Sequence, residues 1–106
     1  MLKEINENQY NEIISKRVSC VIFVGNDQCT TCKALELMIE EVQKKYKFRM
    51  WKIDSIKNQD FVENFLNIKT VPTFIFIKQG LVIGFANRNN NIEDIKDMIK
   101  KVLKGE

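Results

Sequence analysis

Two cysteines, Cys29 and Cys32, are separated only by Thr30 and Thr31, and they lie where an apolar run gives way to a helical pattern. Residues three apart in the first turn of a helix share a face, so the two sulfurs can reach disulfide geometry without a backbone movement. At that end of a helix, unpaired backbone N–H groups and the helix dipole favour a thiolate at Cys29. The pair therefore indicates chemistry at sulfur, either thiol–disulfide exchange or metal binding.

A metal site is the strongest alternative that the cysteines leave open. A Cys-x-x-Cys pair supplies half the ligands of many zinc sites, but zinc takes four ligands. The chain has no histidine and only one further cysteine, Cys20. We therefore expect no metal or other cofactor within one chain, and the remaining metal hypothesis is an ion or cluster that bridges two chains. A purely structural disulfide is a poorer explanation, because closing so short a loop stabilises a fold by only about 2 kcal/mol.

The composition fits a single domain over residues 1–106. Of the 106 residues, 44% are hydrophobic and 29% are charged, with a formal net charge of +3. This mild charge is spread along the chain and does not make the basic footprint of a nucleic-acid-binding protein. The longest apolar runs, 21–24 and 74–77, are far shorter than the ~20 residues of a membrane span, and residues 1–17 lack the apolar core of a signal peptide. We expect a cytoplasmic monomer with no nucleic-acid or membrane partner.

The hydrophobic pattern alternates between helical and strand-like periods. Helical spacing predicts helices at 6–16, at about 30–46 and after Asn91, which suits an N-cap, and a short helix near 61–66. Runs rich in β-branched and aromatic residues predict strands at 18–24, 48–53, 72–77 and 81–86, with residues 25–28 ending the first of them. Lys78-Gln79-Gly80 joins the last two strands as a hairpin. Cys20, inside the first strand, is predicted to be an inert buried thiol.

The order of these elements predicts an α/β fold with a single mixed four-stranded sheet flanked by helices. The strand–helix–strand unit makes the first two strands parallel neighbours, and the hairpin is expected on the other side of the first strand. Because the first strand is apolar on both faces, it is expected at the centre of the sheet. The cysteine pair then lies where the central strand passes into the long helix.

Three segments together resemble the thioredoxin family, namely the strand 20–24, the motif 29–33 that opens a helix, and Val71-Pro72-Thr73. The resemblance covers nearly the whole chain in order and spacing, and the proline motif follows the cysteines by about forty residues. It implies a thioredoxin-like fold in which Pro72 is cis and packs beside the cysteines. It also implies that a substrate peptide pairs with the backbone of Val71, and that Thr30 and Thr31 belong to the substrate-binding residues.

The resemblance further implies a protein-disulfide reductase that works in two steps. The thiolate of Cys29 attacks a substrate disulfide, and Cys32 then attacks the Cys29 sulfur and releases the reduced substrate. Cys29 is assigned as the nucleophile because it lies nearer to the helix end and to solvent. The implied partners are protein disulfides and, for recycling, a reductase or a small thiol.

The chain departs from the usual family pattern beside the cysteines. Gln28 stands where a tryptophan is usual, and Phe23 stands where the family commonly buries an aspartate that assists proton transfer at the second cysteine. Asp54, at the predicted end of the second strand, is therefore a candidate for proton transfer, with a capping or solvated strand-end role as its alternative. The same departures favour a second hypothesis, a redox-slow binding or adaptor module that keeps the fold and the peptide groove.

Overall fold

The computed structural model describes residues 2–105, in which helices alternate with strands. In chain order the elements are α1 (Glu7–Ser15), β1 (Cys20–Gly25), α2 (Thr30–Tyr46), β2 (Met50–Asp54), the π-helical turn (Phe61–Phe65), β3 (Thr73–Lys78), β4 (Leu81–Asn87) and α3 (Ile92–Leu103). The bounds of α2 match the predicted range 30–46. Asn91 is the N-cap of α3, as predicted, and its side chain accepts a hydrogen bond from the Asp94 N–H.

The four strands form one mixed sheet in the order β2-β1-β3-β4. β1 pairs in parallel with β2 and antiparallel with β3, and β3 pairs antiparallel with β4. This arrangement confirms the predicted fold class, the central position of β1 and the hairpin on its far side. Because β1 and β2 run in parallel, their carboxyl ends meet at one edge of the sheet, where Gly25 pairs with Asp54.

Two hydrophobic clusters, one on each face of the sheet, hold the sheet between its helices. Successive strand residues point to opposite faces, and every residue of β1 is buried because both faces are covered. One cluster joins the sheet to α2 and α3 and includes Val21, Phe23, Cys32, Ile39, Ile95 and Ile99. The other joins the sheet to α1 and the π-helical turn and includes Ile13, Cys20, Ile22, Val24, Phe61 and Val62. The two cysteines Cys20 and Cys32 therefore lie on opposite sides of the sheet.

β1 begins and ends later than the predicted strand 18–24. The Val18 N–H donates to the Ile13 carbonyl at 3.1 Å, and the Val18 carbonyl accepts from the Gly80 N–H at 3.2 Å, so this residue belongs to the connection after α1. At the other end, Gly25 continues the ladder instead of breaking it, and its carbonyl accepts from the Ser55 N–H at 2.8 Å. The apolar pattern alone does not distinguish a buried connection from a buried strand.

β2 also begins later than predicted, and the short helix after it is of the π type. Lys47 ends α2 in a left-handed conformation with φ 55°, and the Gln43 side-chain amide donates to the Phe48 carbonyl at 2.9 Å. Phe48 is thus buried but held by the end of the helix rather than by the sheet. In the later turn, the Leu66 N–H donates to the Phe61 carbonyl, five residues back, at 2.9 Å. That spacing defines a π-helical turn.

The hairpin is tighter than the predicted three-residue connection. Lys78 pairs with Leu81, which leaves Gln79 and Gly80 as the turn, with φ of 50° and 79°. Positive φ at both central residues is typical of the type I′ turn, whose twist matches that of the flanking strands. β3 correspondingly covers Thr73–Lys78 rather than 72–77.

The outer edge of β2 is partly covered by the chain that precedes α1. The Lys52 N–H donates to the Lys3 carbonyl at 3.0 Å, and the Ile5 N–H donates to the Lys52 carbonyl at 2.8 Å. Glu4 and Lys52 form an isolated parallel bridge. This pairing holds Lys52 next to the segment that precedes α1.

Candidate functional site

Cys29 is the N-cap of α2. Its backbone is extended, with φ −98° and ψ 107°, and its sulfur accepts a hydrogen bond from the Cys32 N–H at 3.1 Å. Serine, threonine, aspartate and asparagine usually make this contact through oxygen, and here sulfur makes it. Just before the helix, the Asn26 side chain accepts from the Gln28 N–H at 2.9 Å, which shapes the turn that follows β1. The first sulfur of the pair therefore faces the unpaired N–H groups of a helix start.

Cys29 and Cys32 form a disulfide, and their Cα atoms are 5.2 Å apart. The two sulfurs differ in access to solvent, since Cys29 is half-buried whereas Cys32 is only 2% exposed. Between them, Thr30 is exposed and Thr31 is half-buried on the first turn of α2. A substrate can thus reach Cys29, whereas Cys32 faces the core.

The proline motif lies against the same part of the core. The Val71–Pro72 peptide bond is cis, as the resemblance implies. Val71 and Cys29 both pack against the cluster that contains Cys32. The Thr73 hydroxyl donates to the Thr70 carbonyl at 2.7 Å and so ties the start of β3 to the residues before the motif. The fold thus brings Val71 and Cys29 to the cluster that contains Cys32. Packing of Pro72 beside the cysteines, and substrate contact by Val71, Pro72, Thr30 and Thr31, stay predictions.

Two residues of β1 form the inner wall behind Cys32. The ring of Phe23 packs on the ring of Phe74 with centroids 5.2 Å apart, and Phe23 is 1% exposed. A Cβ atom on Gly25 would lie 2.9 Å from the Cys32 sulfur, closer than real contacts of that kind. Glycine is therefore required at position 25 for the sulfur to lie where it does.

A small cleft of about 20 Å³ opens beside Cys32, and Phe23, Glu36 and Lys52 contribute to its lining. The Lys52 ammonium lies 3.4 Å from a Glu36 carboxylate oxygen, with both side chains under one-fifth exposed (19% and 17%). Sequence reasoning missed this pair. Glu36 follows Cys32 by four residues, a spacing that places both on one helix face, but Lys52 is brought there only by the sheet register opposite Phe23.

Asp54 also lines this cleft, at the end of β2. One of its carboxylate oxygens accepts from the Ile56 N–H at 2.8 Å and from the Lys57 N–H at 2.9 Å. These contacts are those of a residue that caps a turn, which was the alternative role expected for it. Proton transfer by Asp54 stays a prediction.

Cys20 is fully buried in the cluster under α1, as predicted for an inert thiol. Burial raises the pKa of its thiol to about 12, although the nearby positive charge of Arg49 opposes part of this shift. A thiol with such a pKa supplies almost no thiolate near neutral pH.

Comparisons with known proteins agree with this geometry. The family model described as Thioredoxin matches residues 1–101. Thioredoxin Asp f 28 of Aspergillus fumigatus is 26% identical over 77 residues, which cover 70% of this chain and 68% of that protein. The reduced thioredoxin pre-protein of Schistosoma mansoni is 28% identical, with a TM-score of 0.77 over 96% of this chain and 95% of that chain. Thioredoxin from Trypanosoma brucei brucei, at 19% identity, shares the fold with a TM-score of 0.83 over 98% of this chain and 92% of that chain.

The chain therefore belongs to the thioredoxin family. It is a thiol–disulfide oxidoreductase, and Cys29 and Cys32 are its redox pair.

Proposed function

We propose that this protein reduces disulfides in other proteins, with Cys29 as the attacking thiol and Cys32 as the resolving thiol. The observation that carries this proposal is the Cys29–Cys32 disulfide at the start of α2, with one sulfur half-buried and the other 2% exposed. Only the more accessible sulfur can meet a disulfide on a folded partner, while the buried one is poised to attack its neighbour.

The first step transfers the substrate to Cys29. The Cys29 thiolate attacks one sulfur of the substrate disulfide, the substrate S–S bond breaks, and the other substrate sulfur leaves as a thiolate that takes up a proton. Val71, which packs on the same cluster as Cys29, offers backbone groups with which an extended substrate segment can pair.

The second step resolves the mixed disulfide. Cys32 loses its proton, its sulfur attacks the Cys29 sulfur, and the second substrate thiol leaves. The substrate has then gained two electrons and two protons, and the protein carries the Cys29–Cys32 disulfide. A reductase or a small thiol supplies the two electrons that restore the dithiol.

We propose a cytoplasmic setting, since a reducing compartment would keep the pair in its dithiol form between turnovers.

Among residues 2–105, no helix is long and apolar enough to cross a membrane. Within the same residues, no three His, Cys, Asp or Glu side chains are grouped as ligands for a metal ion. The protein is proposed to act as a monomer on protein disulfides.

The test is a redox titration of the Cys29–Cys32 pair in glutathione buffers, read by alkylation and mass. Reversible two-electron exchange is expected, and the direction of electron flow follows from the midpoint. A value towards about −270 mV, that given for thioredoxin, indicates a reductant, whereas one near −120 mV indicates an oxidant. Cys20→Ala is the matched control, because removing the third thiol leaves the midpoint unchanged if only the pair titrates. Metal analysis of the purified protein tests the bridged dimer in parallel.

A pair that does not cycle would contradict the reductase proposal and favour the adaptor module. In that case Cys29→Ser would leave binding to partner proteins intact. For a reductase, the same substitution stops reduction of insulin disulfides, a convenient protein probe.

A further inference from the structure

The Cys32 thiol must lose its proton from a buried position before it can resolve the mixed disulfide. The Cys32 side chain is 2% exposed, yet its proton must leave before its sulfur can attack Cys29. A positioned base within hydrogen-bond reach, or one water away, speeds such a step. On the β1 side of the cleft that Cys32 lines are Phe23 and Gly25, and neither has a side chain that can accept a proton.

The cleft beside Cys32 offers a route for that proton. Its volume of about 20 Å³ exceeds the roughly 10–15 Å³ that one water molecule needs. Cys32, Glu36 and Lys52 all line it, so a water there has a sulfur on one side and polar groups on the other. A single water can thus connect the thiol to the ion pair.

The Glu36 carboxylate is held in place from three elements. It lies on α2 four residues after Cys32, the Lys52 ammonium from β2 is 3.4 Å from both of its oxygens, and the Leu2 N–H lies 3.5 Å from one of them. Lys52 itself is fixed at the sheet edge by two backbone hydrogen bonds to the segment before α1. These contacts leave the pair at 17% and 19% exposure, unlike the surface pair Glu41–Lys44 on the same helix, where both side chains are 74% exposed.

Other charged residues that line the cleft are less well placed for this role. Asp54 uses one carboxylate oxygen to accept two backbone N–H groups of the turn after β2. Glu4, Asp27 and Lys33 also contribute to the lining, and Glu4 is paired with Lys57 at 3.1 Å, away from α2. Of the carboxylates around the cleft, Glu36 alone shares a helix face with Cys32.

We propose that Glu36, positioned by Lys52, accepts through one water the proton that Cys32 gives up when it resolves the mixed disulfide. The S–H bond of Cys32 breaks, the proton passes to water, and a water proton passes to the Glu36 carboxylate. The Cys32 sulfur then bonds to the Cys29 sulfur as the substrate thiolate leaves and is protonated from solvent. When the protein is reduced again, the proton returns by the same route. This inference rests on the proposed function, because it assigns a role within the second step.

The test separates the two steps with an aromatic disulfide, 5,5′-dithiobis(2-nitrobenzoate), each half of which leaves as a coloured thiolate. In rapid mixing with the reduced protein, the first release depends on reagent concentration, whereas the second, caused by Cys32, does not. We expect Glu36→Gln to slow the second release roughly 10- to 100-fold at about pH 6, and to leave the first within about twofold. At alkaline pH the second release is expected to be equally fast in Glu36→Gln and in the wild type, because hydroxide takes the proton directly.

Matched variants distinguish this role from a structural one. Glu41→Gln removes a carboxylate from the exposed pair on the same helix and is expected to change neither release. Glu36→Asp restores a carboxylate and recovers part of the lost rate. Asp54→Asn removes the other carboxylate considered for proton transfer at Cys32 and shows whether Asp54 takes this role in place of Glu36. An unfolding curve for each variant shows that the comparison is made on folded protein.

An unaltered second release in Glu36→Gln over the whole pH range would overturn the proposal, as would a slow second release in Asp54→Asn alone. Absence of any second release from the wild-type protein is a different result. It would contradict the proposed function itself.

Discussion

Cys20 and Cys32 are both buried, at 0% and 2% exposure, yet they lie in opposite chemical settings. Cys20 is in β1 and packs among aliphatic and aromatic side chains under α1. Cys32 is in the first turn of α2, bonded to the half-buried Cys29, with a cleft and an ion pair beside it. The comparison shows that depth of burial by itself does not decide what a thiol can do.

The physical difference lies in what each site offers to a charged sulfur. Around Cys20, loss of contact with water raises the thiol pKa to about 12. The positive charge of Arg49 lowers this pKa, but by less than burial raises it. At the start of α2, free N–H groups and the helix dipole favour negative charge, and Cys29 supplies a bond partner three residues away. Thus one fold holds an inert thiol and a redox pair on the two faces of a single sheet.

The largest expected effect comes from removing the attacking sulfur. Cys29→Ser should lower the rate of disulfide reduction by more than about 10³-fold, because the alcohol does not replace a thiolate as nucleophile. Cys20→Ala is the matched control, and its rate is expected to stay within about twofold of wild type. The measurement is insulin reduction at equal protein concentration. Equal losses in the two variants would mean that the two cysteines are not functionally distinct.

A smaller effect is expected from filling the space behind Cys32. In Gly25→Ala, the new Cβ would lie 2.9 Å from the Cys32 sulfur and 3.0 Å from the Phe23 ring. We expect a loss of about 1–3 kcal/mol in the free energy of unfolding and a slower second release in the two-step assay, because the sulfur must shift. Denaturant unfolding and rapid mixing measure the two effects.

The control for that substitution is Gly84→Ala on β4, where the new Cβ would meet only the flexible end of the Met98 side chain, at 2.5 Å. It is expected to change stability mildly and to leave the second release untouched. If Gly84→Ala slowed the second release as much as Gly25→Ala, the close approach at Cys32 would not be the cause.

The smallest effect concerns Cys20 and alkaline pH. Because burial raises the thiol pKa from 9.0 to about 12 in the folded protein, the unfolded chain loses this proton first as pH rises. Stability is therefore retained below about pH 9 and falls as pH increases towards 12, by up to about 1.4 kcal/mol per pH unit from this group.

Denaturant unfolding of the oxidised protein, in which Cys29 and Cys32 do not titrate, tests this prediction. Cys20→Ala should show a shallower decline between about pH 9 and pH 10 than wild type. Above that range, Tyr10 contributes in both proteins, because burial raises the pKa of its hydroxyl; the nearby Cys20 adds to this increase in the wild type only. A decline of the same slope in both proteins below pH 10 would mean that Cys20 is ionised as easily in the folded state as in the unfolded one.

Much of the architecture could be predicted because it depends on patterns of residues that are close together in the sequence. The spacing of apolar residues predicts α2 at its full length. The capping preference of asparagine predicts Asn91 at the start of α3, and the connections between elements predict the order of strands around β1. The redox pair follows from two cysteines at a strand–helix junction. These features depend on residues close together in the chain, where hydrophobic period, capping and turn chemistry act directly.

Only the tertiary structure decided what surrounds the second sulfur. Val18 and Phe48 look like strand residues but are held by contacts outside the sheet, and the parallel register alone sets Lys52 opposite Phe23. The cleft, the Glu36–Lys52 pair and the requirement for glycine at position 25 arise where α2, β1, β2 and the segment before α1 meet. No local pattern encodes such a place, because its shape and charge depend on how segments distant in sequence pack together.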